Sequence, residues 1–193
     1  EGELYVGCAG GVDTTAKFAY TPVAVEEGDV AMKVSITGCK GGHSGCDIHL
    51  QRANANKLLF RFLKDAVANF EARLASVEGG SLRNAIPREA SAIITIPAEG
   101  VDEMLDLVAE YEDLFVAEYD GVEDAIRFTA EEVECPATEL PEDVQDFLIH
   151  AITACPHGVY RVIPEMPDVV ETSNNLAMLT TADDCVTVMC LTR

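Results

Sequence analysis

The sequence predicts an α+β fold: a ferredoxin-like sandwich with an antiparallel sheet, helices on one face, and an additional helix and strands. The main observation is that strand-like and helix-like segments follow the order β-α-β-β-α-β between residues 30 and 134. Hydrophobic residues make up 48% of the 193 positions, which is enough for a substantial core. Neither a sequence repeat nor a linker interrupts the pattern, so we expect one folded unit.

The first elements are defined by two different periodicities. In VAMKVSIT (30–37), Met32, Val34 and Ile36 share one face, as in a half-buried strand. In ANANKLLFRFLKDAVANFEARL (53–74), apolar residues recur at helical spacing. A short strand is predicted over 72–78, where two glycines end it.

The second half of the pattern repeats this order. EASAIITI (89–96) has the composition of a strand, and VDEMLDLVAEYEDLFVAEY (101–119) has the apolar spacing of an amphipathic helix. AIRFTAEEVE (125–134) returns to strand alternation. Pro141 begins a third predicted helix, which ends before Pro156. Further strands are predicted over three ranges, 159–163, 175–181 and 185–193.

The overall charge excludes one large class of partners. The formal net charge is −21, which opposes binding to nucleic acid. No apolar run approaches the roughly 20 residues that a membrane span requires. The seven cysteines are an odd number and fit reduced thiols in a cytoplasmic protein better than a disulfide framework.

The stretch GCKGGHSGCDIH (38–49) is the strongest candidate for chemistry. Its Cys39, His43, Cys46 and His49 are types that bind zinc, and its glycines would suit a phosphate-binding loop. However, no complete phosphate-loop, H-E-x-x-H or G-x-S-x-G motif is present. On spacing alone, two interpretations of His43 stay open: a functional residue and an ordinary loop histidine. The spacing indicates no convincing metal site.

Longer segments resemble a known family. KGGHSGCDIHLQRANANKLLFRFL (40–63), EGELYVGCAGGVD (1–13), GGSLRNAIPREA (79–90) and the stretch from VVETSNNLAML to VTVMCLTR (169–193) occur in order. Together they resemble the aminoacyl-histidine (Xaa-His) dipeptidases, the peptidase D group of the two-zinc exopeptidases that include peptidase T, peptidase V and carnosinase. These enzymes have a catalytic domain with two zinc ions and an inserted lid, or dimerisation, domain.

The resemblance implies a domain assignment. Residues 1–12 would be the edge of the catalytic domain or its connection, and residues 13–193 would be the lid. The ligands for zinc would lie outside the chain, so the expected partners are a dipeptide substrate, the catalytic domain and, as a candidate, a second lid in a homodimer. We expect a cytoplasmic parent enzyme and an excised fragment that is inactive alone.

The resemblance also implies site residues. His43 would reach over the active site and stabilise the oxyanion of the scissile carbonyl. Asn175 and Arg193 would hold the substrate, because a guanidinium pairs well with a C-terminal carboxylate. Asn84 is a further substrate-binding candidate, and Asn174 is an alternative to its neighbour Asn175. The competing hypothesis is a stand-alone ferredoxin-like binding or dimerisation module without catalytic activity.

Overall fold

The computed structural model describes Gly2, Leu4 and residues 10–193. The described residues form twelve strands and three α-helices, with short 3₁₀ turns at Ile48–Leu50 and Ala98–Gly100. In chain order the elements are β1 (Val12–Ala19), β2 (Val23–Ala24), β3 (Asp29–Thr37), β4 (Gly42–His43), α1 (Ala55–Asn69), β5 (Arg73–Gly79), β6 (Ala85–Ile86), β7 (Ala90–Pro97), α2 (Val101–Glu118), β8 (Arg127–Val133), β9 (Thr138–Glu139), α3 (Glu142–Ala154), β10 (Gly158–Ile163), β11 (Met166–Ala182) and β12 (Cys185–Thr192).

The main sheet confirms the predicted α+β sandwich. Its strand order is β1-β12-β11-β5-β7-β3-β8, and β10 pairs with β11 beside this path. All of these pairings are antiparallel. The β-α-β-β-α-β unit supplies the four strands β8-β3-β7-β5, so its first and third strands lie in the centre of the unit.

The helices pack against one face of this sheet. On β3, Met32, Val34 and Ile36 are buried, whereas the alternate residues Lys33 and Ser35 are only partly buried. Apolar burial of this kind is the main favourable contribution to folding. Phenylalanines from α1, α2 and β8 meet edge-to-face in this layer; they are Phe62, Phe115 and Phe128.

Two of the long strands differ from the sequence prediction, which also lacks the two-residue strands β2, β4, β6 and β9. The sequence pattern predicts no strand over β1, and the strand predicted at 175–181 is the second part of the 17-residue β11. Nearly every residue of β1 is exposed, so the segment lacks the apolar alternation that marks a strand. Backbone pairing with β12 holds it in the sheet instead. The first part of β11 pairs with β10 through several register shifts.

The predicted domain boundary after residue 12 stays a prediction. Val12 is the first residue of β1 and thus belongs to the main sheet. Most of segment 1–12, namely Glu1, Glu3 and Tyr5–Ala9, lies outside the described residues. Within the part of the chain that is described, no helix combines the length and the apolar character needed to cross a membrane.

Asn54 ties the start of α1 to β11. Its Oδ1 accepts the backbone N–H of Lys57 at 3.2 Å, which caps the helix. Its Nδ2 donates to the carbonyl oxygen of Leu176 on β11 at 2.9 Å and contacts Nδ1 of His157 at 3.0 Å. These contacts hold the segment that precedes α1 against β11.

We expect stability to fall in mild acid because of His157. Burial, and secondly the positive charge of Lys57, lower the pKa of this imidazole from 6.5 to about 4. The imidazole of His157 therefore gains its proton near pH 6.5 in the unfolded chain but only near pH 4 in the folded chain. The free energy of unfolding should drop by about 1 kcal/mol between about pH 7 and pH 5.5.

Urea unfolding at several pH values measures this effect. The variant His157→Asn should lose most of the pH dependence in this window. His150 is exposed on α3, so His150→Asn is the matched control and should keep it. Equal pH dependence in the His157→Asn variant and in the unchanged chain would contradict the assignment.

Candidate functional site

His43 lies in a separate two-stranded sheet outside the main sheet. Its strand, β4, pairs with β6, so that Gly42 faces Ile86 and His43 faces Ala85. The position before His43 requires glycine, because Gly42 has φ of 146° and a β-carbon there would lie 2.6 Å from Nη1 of Arg52. The His43 side chain is exposed.

Hydrogen bonds fix the tautomer of His43. Its Nδ1 accepts the backbone N–H of Gly45 at 3.1 Å and that of Cys46 at 3.0 Å. A nitrogen that accepts two N–H groups carries no proton, so in the neutral imidazole the proton is on Nε2. The exposed His43 side chain therefore offers one N–H donor with a set orientation.

Asp47 holds the backbone of His43 in place. The backbone N–H of His43 donates to Oδ2 of Asp47 at 2.8 Å, and the N–H of Asp47 donates to the carbonyl oxygen of His43 at 2.9 Å. Arg52 supports the same turn, since its Nη1 donates to the carbonyl oxygen of Gly41 at 2.6 Å. The sequence reasoning missed both residues, because turn aspartates usually accept an N–H two positions later, and no local rule indicates a bond to a residue four positions earlier.

Arg193 lies beside His43. Its backbone exchanges two hydrogen bonds of 2.9 Å with Ser173, which extends the pairing of β11 and β12 by one residue. A β-carbon at Gly45 would lie 3.2 Å from Nε of Arg193 and 3.3 Å from Cε1 of His43, so both side chains border this glycine. Within residues 10–193 the buried Nε of Arg193 has no hydrogen-bond partner.

The two predicted asparagines hold or border the same two-stranded sheet. The backbone carbonyl of Asn84 accepts the N–H of Ser44 at 2.9 Å, and its side chain is exposed. Asn175 is 1% exposed, and its Nδ2 donates to the carbonyl oxygens of Arg83 at 3.1 Å and Ala85 at 2.8 Å. Its Oδ1 is buried and has no partner among the described residues.

The neighbouring Asn174 has a different set of partners. Its Nδ2 donates to the carbonyl oxygen of Pro156 at 2.7 Å, and its Oδ1 accepts from the hydroxyl of Thr192 at 2.8 Å. The fold thus gathers the four predicted residues around the two-stranded sheet of β4 and β6. Two of them, His43 and Arg193, present donors beside Gly45, whereas Asn175 holds the backbone at β6. Their roles toward a substrate stay predictions.

The zinc-binding alternative for the stretch 38–49 gains no support from the geometry. No group of three His, Cys, Asp or Glu side chains in the described part of the chain could hold a metal ion. Cys39 is buried, and burial raises the pKa of its thiol to about 12, which opposes the thiolate that zinc requires. Cys46 and His49 are exposed.

A separate groove lies on the face of the sheet that the helices leave uncovered. Its volume is about 560 Å³, and side chains of both charges, including Lys33, Glu78 and Arg88, line it. His43, Asn175 and Arg193 are not among its lining residues. The groove is therefore distinct from the cluster around Gly45.

Comparison with known proteins gives three consistent findings. Residues 34–123 match the family model described as "Peptidase dimerisation domain". The chain is 40% identical over 193 residues to the cytosol non-specific dipeptidase of Escherichia coli (strain K12) and spans 40% of that protein's length. Residues 34–123 therefore resemble a peptidase dimerisation domain.

The structural comparison extends the match beyond the dimerisation domain. The crystal structure of aminoacylhistidine dipeptidase from Vibrio alginolyticus superposes with a TM-score of 0.95 at 44% identity. The superposition covers 100% of this chain and 39% of that one. The predicted resemblance to the aminoacyl-histidine dipeptidases is thereby confirmed over the whole chain, including β10–β12, which lie outside the matched range.

Proposed function

We propose that this chain is the lid and dimerisation part of a cytoplasmic, zinc-dependent dipeptidase that hydrolyses unblocked dipeptides, including those of the Xaa-His type. The observation that carries the proposal is the fixed tautomer of His43, which directs an Nε2–H donor outward beside Arg193. The likeness to two named dipeptidases supports the reaction class.

The geometry suits the charges of a reacting dipeptide. Attack on a peptide carbonyl develops negative charge on its oxygen, and a preorganised N–H donor stabilises that charge. In a dipeptide the terminal carboxylate is only one residue away from this oxygen, and consecutive Cα atoms are about 3.8 Å apart. Two donors that border the same glycine, His43 and Arg193, can therefore bind the carbonyl oxygen and the terminal carboxylate of one dipeptide.

Each donor suits the group proposed for it. A neutral imidazole donates one hydrogen bond without adding a full charge to the site, which fits a charge that develops only in the transition state. The guanidinium is a planar fork that pairs with a carboxylate through two bonds. Arg193 makes no ion pair with the described residues, so its charge is available to a ligand.

The metal must be held elsewhere under this proposal. Zinc would supply Lewis-acid chemistry to hydrolysis. The described residues contain no set of three suitable ligands, so they do not fit a zinc site. What this chain contributes is substrate orientation and a hydrogen bond to the reacting carbonyl oxygen.

Activity of the full-length protein tests the function. We expect it to hydrolyse a panel of free dipeptides with zinc present and to lose activity when zinc is removed. Dipeptides whose N-terminal amino group is blocked should be poor substrates. A full-length protein that cleaves no dipeptide in either condition would favour the competing hypothesis of a stand-alone binding or dimerisation module.

We also propose that the parent is a homodimer that associates through this domain. The matched family is named for dimerisation, and the main sheet has two end strands, β1 and β8, whose outer edges have no partner in the described chain. Sedimentation of the full-length protein would give twice the chain mass. A monomer at all concentrations used for activity would contradict dimerisation but would leave the dipeptidase proposal standing.

The variant Asp47→Ala should lower kcat of the full-length enzyme by roughly tenfold, since one hydrogen bond that positions His43 is lost. Asp47→Asn keeps an oxygen acceptor and should recover part of the rate. Asp146 is exposed on α3, so Asp146→Ala is the matched control. Equal rates for the Asp47→Ala and Asp146→Ala variants would show that Asp47 does not position His43.

A further inference from the structure

Two cysteines that the proposed function does not use lie side by side. Cys155 follows the end of α3, and Cys190 lies near the end of β12. Their sulfur atoms are 3.7 Å apart, although the two residues are 35 positions apart in sequence. Both are free thiols, with Cys190 buried and Cys155 half-buried.

Their surroundings make the two thiols unequal. The two sulfur atoms share a hydrogen bond in which either thiol can be the donor. Their contact lowers the pKa of Cys190 and raises that of Cys155. Nδ2 of Asn174 approaches Cys155 Sγ at 3.9 Å, and the charge of Arg83 favours the Cys190 thiolate further. Because the thiolate is the nucleophile, the lowered pKa favours Cys190 as the attacking residue, with the half-buried Cys155 as the second one.

We propose that Cys155 and Cys190 form a dithiol site at which hydrogen peroxide produces an intramolecular disulfide. The Cys190 thiolate attacks one peroxide oxygen, the O–O bond breaks, and the departing hydroxide takes a proton to become water. The sulfenic acid on Cys190 is then attacked by the Cys155 sulfur. The S–O bond breaks, the S–S bond forms, and the Cys155 proton leaves with the hydroxyl group as a second water.

The backbone allows the required approach. A disulfide bond is about 2.05 Å long, so the sulfur atoms must move about 1.7 Å closer. Cys155 has an extended backbone just beyond the helix, and its neighbour Pro156 is exposed, so rotation of its side chain does not disturb a sheet. Cys190 can stay in β12. The product ties the end of α3 to the strand that leads to Arg193, and it should raise the unfolding temperature.

Peptide mapping of the chain after peroxide treatment tests the proposal. Trypsin cleaves after Arg127, Arg161 and Arg193, so the two cysteines fall in the peptides 128–161 and 162–193. We expect these peptides to be joined, with the loss of two hydrogen atoms, and to separate after reduction. Each peptide holds one other cysteine, Cys135 or Cys185, so fragmentation of the joined pair must assign the bond.

Matched variants decide the assignment. Cys155→Ser and Cys190→Ser should each abolish the joined peptide and the rise in unfolding temperature. Cys135→Ser and Cys185→Ser, one in each peptide, should keep both. The proposal is overturned if the unchanged chain keeps Cys155 and Cys190 as free thiols while the exposed Cys46 is oxidised, or if the join persists in either of the first two variants. None of these measurements depends on peptidase activity.

Discussion

Replacing His43 by alanine in the full-length enzyme is expected to lower kcat by roughly 10²–10³, the usual effect of removing one oxyanion donor. The reason lies in the bonds to Nδ1 from Gly45 and Cys46, which leave Nε2 as the protonated nitrogen. KM should change little, because the bond strengthens only as charge develops on the carbonyl oxygen. Steady-state kinetics on a free dipeptide measure both quantities.

His49 provides the matched control for His43. It is exposed, lies six positions later in the same segment, and shares no hydrogen bond with the His43 turn in the described structure. The variant His49→Ala should keep full activity. If kcat of His43→Ala equals that of His49→Ala, the oxyanion role must be abandoned.

Replacing Arg193 by alanine is expected to lower kcat/KM by roughly 10–100-fold for dipeptides with a free carboxylate, the scale of hydrogen bonds to a charged group. The buried Nε without a partner indicates a guanidinium placed for a ligand. Arg193→Lys should recover only part of the loss, because lysine keeps the charge but not the planar fork.

The substrate itself supplies a second control for Arg193. An amidated dipeptide lacks the carboxylate, so the Arg193→Ala variant should process the free and amidated forms with similar efficiency. Arg161→Ala removes an exposed arginine that pairs with Glu171 on the β10–β11 hairpin, and it should leave the preference for the free form unchanged. If Arg193→Ala keeps that preference, the carboxylate is recognised elsewhere.

Much of the fold could be predicted because burial imposes a period on the sequence. The alternation of Met32, Val34 and Ile36 and the helical spacing in α1 and α2 arise from a face that packs on the core. The missed strand β1 has almost no buried side chain, so its place depends on backbone pairing with β12, which leaves no pattern in side chains. The same applies to the first part of β11.

The resemblance predicts a set of candidate site residues, but their geometry comes only from the structure. The resemblance pointed to His43, Asn84, Asn175 and Arg193, yet no spacing rule shows that β4 pairs with β6 or that the chain after β12 reaches Gly45. The tautomer of His43 depends on backbone N–H groups, which every residue except proline carries. Likewise, only the fold distinguishes Asn175, which holds the backbone at β6.

The central claim is that His43 stabilises the developing oxyanion, and the affinity of a phosphinic dipeptide analogue tests it most directly. This analogue carries anionic oxygens at the reacting centre and resembles the transition state. Its inhibition constant should rise in the His43→Ala variant by the same factor, roughly 10²–10³, by which kcat/KM falls. An unchanged inhibition constant alongside a reduced kcat/KM would contradict the account.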